Sequence, residues 1–160
     1  MNTLRLGQGK NGKAVFARKN FQQGECILVF KGKYFKKEQL PKPYETVADH
    51  YVQIGKNRYM GPSGGFDDFV NHSCNPNAGL RFQGKNIFLV AIKKIHREEE
   101  ITWDYTTTID EDEWEMECSC GRKNCRKRIH DFKYLPKKIQ ERYVRLNIVP
   151  QYILEKIKSA

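Results

Sequence analysis

Three cysteines fall in the segment Cys118-Ser-Cys-Gly-Arg-Lys-Asn-Cys125, a C-x-C-x4-C pattern. Thiolates this close together, with Gly121 permitting a sharp turn, suit tetrahedral zinc, but three ligands leave a structural site one short. Two other cysteines are available. Cys26 sits in the apolar run Cys26-Ile-Leu-Val-Phe30 and reads as a buried strand residue, since free cysteine behaves as a small hydrophobe. Cys74 lies in a polar turn, Asn71-His-Ser-Cys-Asn-Pro-Asn77, and is the better fourth ligand. A catalytic or reducible thiol is the competing reading of the triplet. Five cysteines, an odd number, behind a polar start with no signal-peptide stretch argue against a disulfide framework.

A second chemical feature is acidic. Asp110, Glu111, Asp112, Glu113, Glu115 and Glu117 follow one another with no basic residue among them. Such a run is either a solvated face or a local negative field that draws in a basic ligand. The chain as a whole carries +10, distributed unevenly. Residues 1–40 hold 9 basic and 2 acidic side chains, residues 41–117 hold 8 and 14, and residues 118–160 hold 12 and 3. Two basic flanks bracket an acidic middle.

The elements that must position these groups are mostly strands. Ala14–Ala17, Cys26–Phe30, His50–Ile54, Ala78–Phe82 and Ile87–Ile92 are short runs rich in β-branched and aromatic residues, separated by Gly, Asn and Pro. Helical signal is confined to the end. Pro136 opens a helix carrying Ile139, Tyr143 and Leu146 on one face, and a second runs from Pro150 through Ile157. The 160 residues suffice for one core, and the 39% hydrophobic content excludes a disordered chain. No apolar run approaches the ~20 residues of a membrane span. A soluble, intracellular protein is expected, in which a nuclear site and a bacterial cytoplasm are not distinguished.

Read in order, the motifs form a set. Gly12-Lys-Ala-Val-Phe-Ala17 comes first, then Gly24-Glu25 leading a strand to Gly32, then Phe69-Val-Asn-His-Ser-Cys-Asn-Pro-Asn77. Glu99-Glu-Ile-Thr-Trp-Asp-Tyr105 and the cysteine triplet follow. The chain resembles the SET-domain protein lysine methyltransferases with a post-SET zinc segment, over roughly residues 5–135, and is similar to the small stand-alone members. The resemblance implies a mainly β fold of several short sheets with a pseudoknot, a zinc-bound post-SET segment and short C-terminal helices. It divides the chain into a SET domain (1–117), a post-SET segment (118–135) and a basic helical tail (136–160).

The same resemblance implies S-adenosylmethionine as methyl donor, S-adenosylhomocysteine as product, and a lysine side chain as acceptor. Gly12, Lys13 and Ala14 match the family's Gly-x-Gly turn at the methionine end of the cofactor, with alanine in place of the second glycine. Asn71 and His72 match the pair that holds its amino group and adenine. Tyr105 matches the central catalytic tyrosine, which also borders the cofactor, and Cys74, Cys118, Cys120 and Cys125 match the four zinc ligands. Phe30, Trp103 and Tyr105 would line the lysine channel. Phe30 replaces a tyrosine that often lends a hydroxyl there, for which Tyr34 or Tyr51 is a stand-in, and Trp103 replaces a Phe or Tyr that influences the number of methyls.

The expected partner is a basic protein, a histone tail or another Lys/Arg-rich segment, guided by the acidic run, with nucleic acid touching the basic flanks. Two other readings stay open: a non-catalytic, zinc-containing basic module that binds nucleic acid, and a SET fold that binds basic peptides without turnover.

Overall fold

A computed structural model describes residues 2–42 and 50–159. Among the described residues, twelve short strands build five small sheets. Strands β1 (Leu4–Gly9) and β2 (Gly12–Ala17) form a hairpin closed by Lys10-Asn11, with Gly12 at φ 98°, a left-handed value that glycine adopts without steric cost. Strands β3 (Cys26–Phe30) and β4 (Tyr34–Phe35) follow, then β5 (Val52–Gly55) and β6 (Arg58–Met60), and β4-β6-β5 make a second sheet. The two-residue β7 (Asn71–His72) precedes the hairpin of β8 (Ala78–Gln83) and β9 (Asn86–Ala91). The central sheet has the order β3-β9-β8. Then come β10 (Thr102–Trp103), the pair β11 (Met116–Glu117) and β12 (Arg128–Ile129), and helices α1 (Lys137–Arg145) and α2 (Gln151–Ser159).

Strand β9 explains why Ile87–Ile92 is apolar at every position. Alternate side chains of a strand face opposite ways, and here both faces are covered. Ile87, Leu89 and Ala91 enter the main core with Val15, Leu80 and Ile101. Phe88, Val90 and Ile92 face a second core built with Phe132, Tyr143, Ile148 and Ile153 from the C-terminal segment. Gly79 of β8 lets that segment close in, since a Cβ there would lie 2.6 Å from Ile148 Cγ2.

Several expectations need correction. Cys26 stands on a strand as expected but is exposed, not buried. It begins an edge strand, and the register shift between Cys26 and Leu28 turns it out of the alternation. The Asn71-His72 dipeptide, expected in a turn, forms a parallel pair with β10, Asn71 opposite Thr102 and His72 opposite Trp103. The run starting at His50 forms a strand only from Val52. Strand β1, which has two glycines and little β-branched character, carries no propensity signal and exists by pairing with β2. Pro136 opens α1 as expected, from the N-cap position. No described helix is long and apolar enough to cross a membrane.

Candidate active site

The β7–β10 pair sets the Asn71-His72 and Trp103-Asp-Tyr105 segments side by side, and Tyr105 opens a 3-10 turn through Thr108. The backbone N–H of Tyr105 donates to His72 Nδ1 at 3.2 Å. That leaves the ring proton on Nε2, which faces Cys74 Sγ at 3.4 Å. Burial pushes the imidazole down to about 4, only partly opposed by Asp104, so the ring is neutral. The rings of His72 and Tyr105 meet edge to face, centroids 5.3 Å apart.

Asn71 Nδ2 donates to the Lys13 carbonyl at 3.1 Å and to Glu100 Oε1 at 3.2 Å, drawing Gly12–Ala14 to the same place. Ala14 is fully buried in ordinary strand conformation. Its methyl occupies the space left by Gly9, whose own Cβ would lie 2.8 Å away, so the substitution of the second glycine is accommodated by a glycine across the hairpin. Gly12 borders open space. The hairpin turn also meets the cysteine loop, Ser119 Oγ lying 3.1 Å from Asn11 Oδ1. A side chain at Gly12 would meet nothing within 4 Å, so the hairpin turn is open on that side, next to the contact between Lys13 and Asn71.

Tyr105 also lines a pocket of about 250 Å³ shared with Phe30, Tyr51, Met60, Val70 and Trp103. Trp103 packs on Tyr105 at 4.9 Å and meets Phe30 edge-on at 6.1 Å, making an aromatic wall. The Tyr105 hydroxyl donates to the Val70 carbonyl at 3.1 Å. Of the two stand-ins for a hydroxyl at Phe30, Tyr51 is in the wall, whereas half-exposed Tyr34 donates to the Lys85 carbonyl elsewhere.

Cys74, Cys118, Cys120 and Cys125 converge with their sulfurs all within 4.8 Å of one another, and exposed Cys26 is not among them. Cys74 and Cys118 are 3.7 Å apart, against an edge of roughly 3.8 Å for a tetrahedron with ~2.3 Å Zn–S bonds. Trp114, Ile109 and Ile129 pack around them. Burial raises Cys118 to about 11 and Cys74 further still. Burial also acts on Cys120, but N–H donors at Cys74 and Arg122 and its thiol neighbours outweigh it and bring it to about 7. Four soft donors in a closed, half-buried shell fit a structural zinc site.

The motif-based reading missed a buried carboxylate that ties these parts together. Asp104, 1% exposed, accepts from Arg126 Nη2 at 2.7 Å, Tyr143 Oη at 2.8 Å and Thr106 N–H at 3.2 Å. Arg126 follows the last cysteine of the cluster, and its backbone N–H lies 3.4 Å from Cys74 Sγ. Asp104 stands inside the Trp-Asp-Tyr motif, yet nothing in the sequence pairs it with an arginine 22 or a tyrosine 39 positions away.

The acidic run is not an open negative field. Lys37 bridges Glu111 and Glu113 at 3.1 and 2.8 Å, Lys133 meets Asp112 at 2.6 Å, Lys156 meets Asp110 at 2.7 Å and Arg128 meets Glu115 at 3.4 Å. The basic flanks fold back on the acidic middle. Their segregation in sequence is in good part an intramolecular match, and only Glu111 of the run borders the pocket.

The family model for the SET domain matches residues 12–106. The chain is 28% identical over 138 residues to the histone-lysine N-methyltransferase trr of Drosophila melanogaster, covering 79% of this chain and 6% of the relative. It is 30% identical over 132 residues to the human histone-lysine N-methyltransferase 2B, covering 73% and 5%. Among solved structures, KRYPTONITE in complex with mCHH DNA, an H3(1–15) peptide and SAH superposes with a TM-score of 0.63 at 23% identity, over 79% of this chain and 29% of that one. The chain thus spans only a small fraction of the length of the curated relatives it matches.

Proposed function

This chain belongs to the SET-domain family, and from that premise we propose that it is a protein-lysine N-methyltransferase using S-adenosylmethionine, with a lysine of a basic protein such as a histone tail as acceptor. The observation that carries the reading is the position of Tyr105, which backs onto the His72–Asn71–Lys13 cluster on one side and an aromatic pocket on the other. When bound, S-adenosylmethionine supplies an electrophilic methyl on a sulfonium. Gly12, Lys13, Ala14, Asn71 and His72 would hold it, and Cys74, Cys118, Cys120 and Cys125 would hold zinc.

The remaining work falls to the chain's own side chains. A lysine ammonium has a pKa of about 10.4 in water and must lose a proton before it can attack. The rings of Phe30, Trp103 and Tyr105 disfavour its charged form by desolvation, so water can take the proton and no strong base is needed. With its own proton on the Val70 carbonyl, the Tyr105 oxygen acts toward the pocket as an acceptor, orienting the amine or making a weak C–H···O contact to the methyl. Alignment of amine and methyl is then mainly a matter of position, which a fixed β scaffold supplies.

In functional terms the division into 1–117, 118–135 and 136–160 assigns catalysis to the first part, closure of the site to the second, and a supporting role to the third. Exposed basic side chains such as Lys137, Lys138 and Arg145 are available to nucleic acid near such a substrate. Incubating the chain with S-adenosylmethionine and mixed histones, with intact-mass analysis of the products, tests the reading. Methyl-sized mass increments on a histone support it. Their absence alongside measurable cofactor binding would favour a peptide-binding SET fold instead.

A further inference from the structure

The family match ends at residue 106, yet the last 25 residues reach the catalytic turn from two directions. Tyr143 of α1 puts its hydroxyl on Asp104 Oδ2 at 2.8 Å, at the entrance of the turn. Tyr152 of α2 shares its one hydroxyl proton between the Thr108 carbonyl at the exit of the turn and the Gln53 carbonyl of β5 at 3.0 Å. Between these two anchors lie Tyr105, Thr106 and Thr107. Asp104 also caps the turn from within, taking the Thr106 N–H and, through its carbonyl, the Thr107 hydroxyl at 2.8 Å.

The helices are themselves fixed. Tyr143, Ile148 and Ile153 are buried against Val90 and Ile92, Gly79 admits Ile148 at close range, and Lys156 pairs with Asp110 just past the turn. Burial raises both phenols well above the ordinary tyrosine range, so each keeps its proton, and remains a donor, around neutral pH.

We infer that the two C-terminal helices brace the catalytic turn, and that Tyr143 and Tyr152 are positioning residues that hold Tyr105 in place through Asp104 and Thr108. The inference rests on the proposed role of Tyr105. A side chain that does not touch the reacting atoms can still matter, because misplacing a reacting group by a fraction of an ångström costs rate without costing affinity. A tyrosine that merely anchored its helix would instead affect stability alone.

The test uses the full chain with Tyr143→Phe, Tyr152→Phe and, as control, Tyr134→Phe, whose exposed hydroxyl donates to Asp112 at the surface. Turnover on a histone is normalised to the protein that binds cofactor, and amide hydrogen exchange is followed at residues 105–108. Each brace variant is expected to lose about tenfold in kcat with both Michaelis constants held within about twofold. Exchange at 105–108 should speed up in the same variants, and the control should match wild type in both readouts. Unchanged kcat per binding-competent molecule, or unchanged exchange at the turn, overturns the brace even if melting temperature falls. If the wild-type chain transfers no methyl to any histone, the proposed function fails, and the exchange measurement still decides whether the helices hold the turn.

Discussion

The Tyr105 backbone N–H and the His72 ring nitrogen Nδ1 are hydrogen-bonded at 3.2 Å, so the proposed catalytic residue sets the tautomer of the proposed cofactor residue. The second ring nitrogen then faces the Cys74 sulfur. One imidazole connects the turn, the proposed cofactor residues and the cysteine cluster. Its orientation follows from the two-residue pairing of β7 with β10.

Removing that imidazole should therefore separate binding from folding. His72→Ala and Asn71→Ala are expected to weaken S-adenosylmethionine binding by tenfold or so, the scale of a lost polar contact of ~1.4 kcal/mol, as read by calorimetric titration of folded protein. Unaltered affinity in both variants, with only stability reduced, would mean that the pair is purely structural.

Tyr105→Phe keeps the ring that packs on Trp103 and His72 and loses only the hydroxyl. Cofactor affinity and melting temperature should barely move, while kcat should fall by about a hundredfold, the ordinary scale for a lost transition-state hydrogen bond. Steady-state kinetics with full turnover in this variant would remove Tyr105 from the chemistry.

One zinc per chain is expected by metal analysis. Cys74→Ser should lose it and loosen residues 118–129, because the Cys74 sulfur meets Cys118 and the Arg126 N–H. Cys26→Ser should retain the full metal content, the side chain being exposed and outside the cluster. A chelator strong enough to strip zinc should perturb His72 as well, visible as a shift of its ring resonances.

Lys37 carries a pH signature. Burial lowers its pKa, but Glu113 and Glu111 outweigh that and raise it overall. A cation whose folded pKa is raised contributes fully below the unfolded value of about 10.4 and loses that contribution as pH climbs through the folded one. Denaturation from pH 8 upward, as read by circular dichroism, should therefore lose an alkaline component in Lys37→Met. Wild type and Lys37→Met should also draw closer at high salt, because the exposed Glu113 partner is readily screened.

The cysteine cluster was readable because close ligand spacing is local chemistry, and the lone Cys74 in a polar turn completed it. The central strands were readable because β-branched runs mark them. Strand β7 was not, because Asn-His has no strand propensity and is extended only by a partner thirty residues on. The exposure of Cys26 depends on a bulge, which leaves no signature in an apolar run. The pairing of the acidic run depends on a cation more than seventy residues away at Lys37 and on three others, Arg128, Lys133 and Lys156, so its own six residues could not reveal it.

Strand β9 divides the protein without separating it. Leu89 and Val90 are adjacent in the chain, yet one belongs to the main core and the other to the core under the helices. Neither core can lose this strand and keep its wall, so melting one exposes the back of the other. Unfolding should accordingly be a single cooperative transition, seen as coincident curves from probes at Trp103 and at the C-terminal helices. A chain ended after residue 135 would present Phe88, Val90 and Ile92 to water, an apolar face that favours self-association over a smaller stable fold.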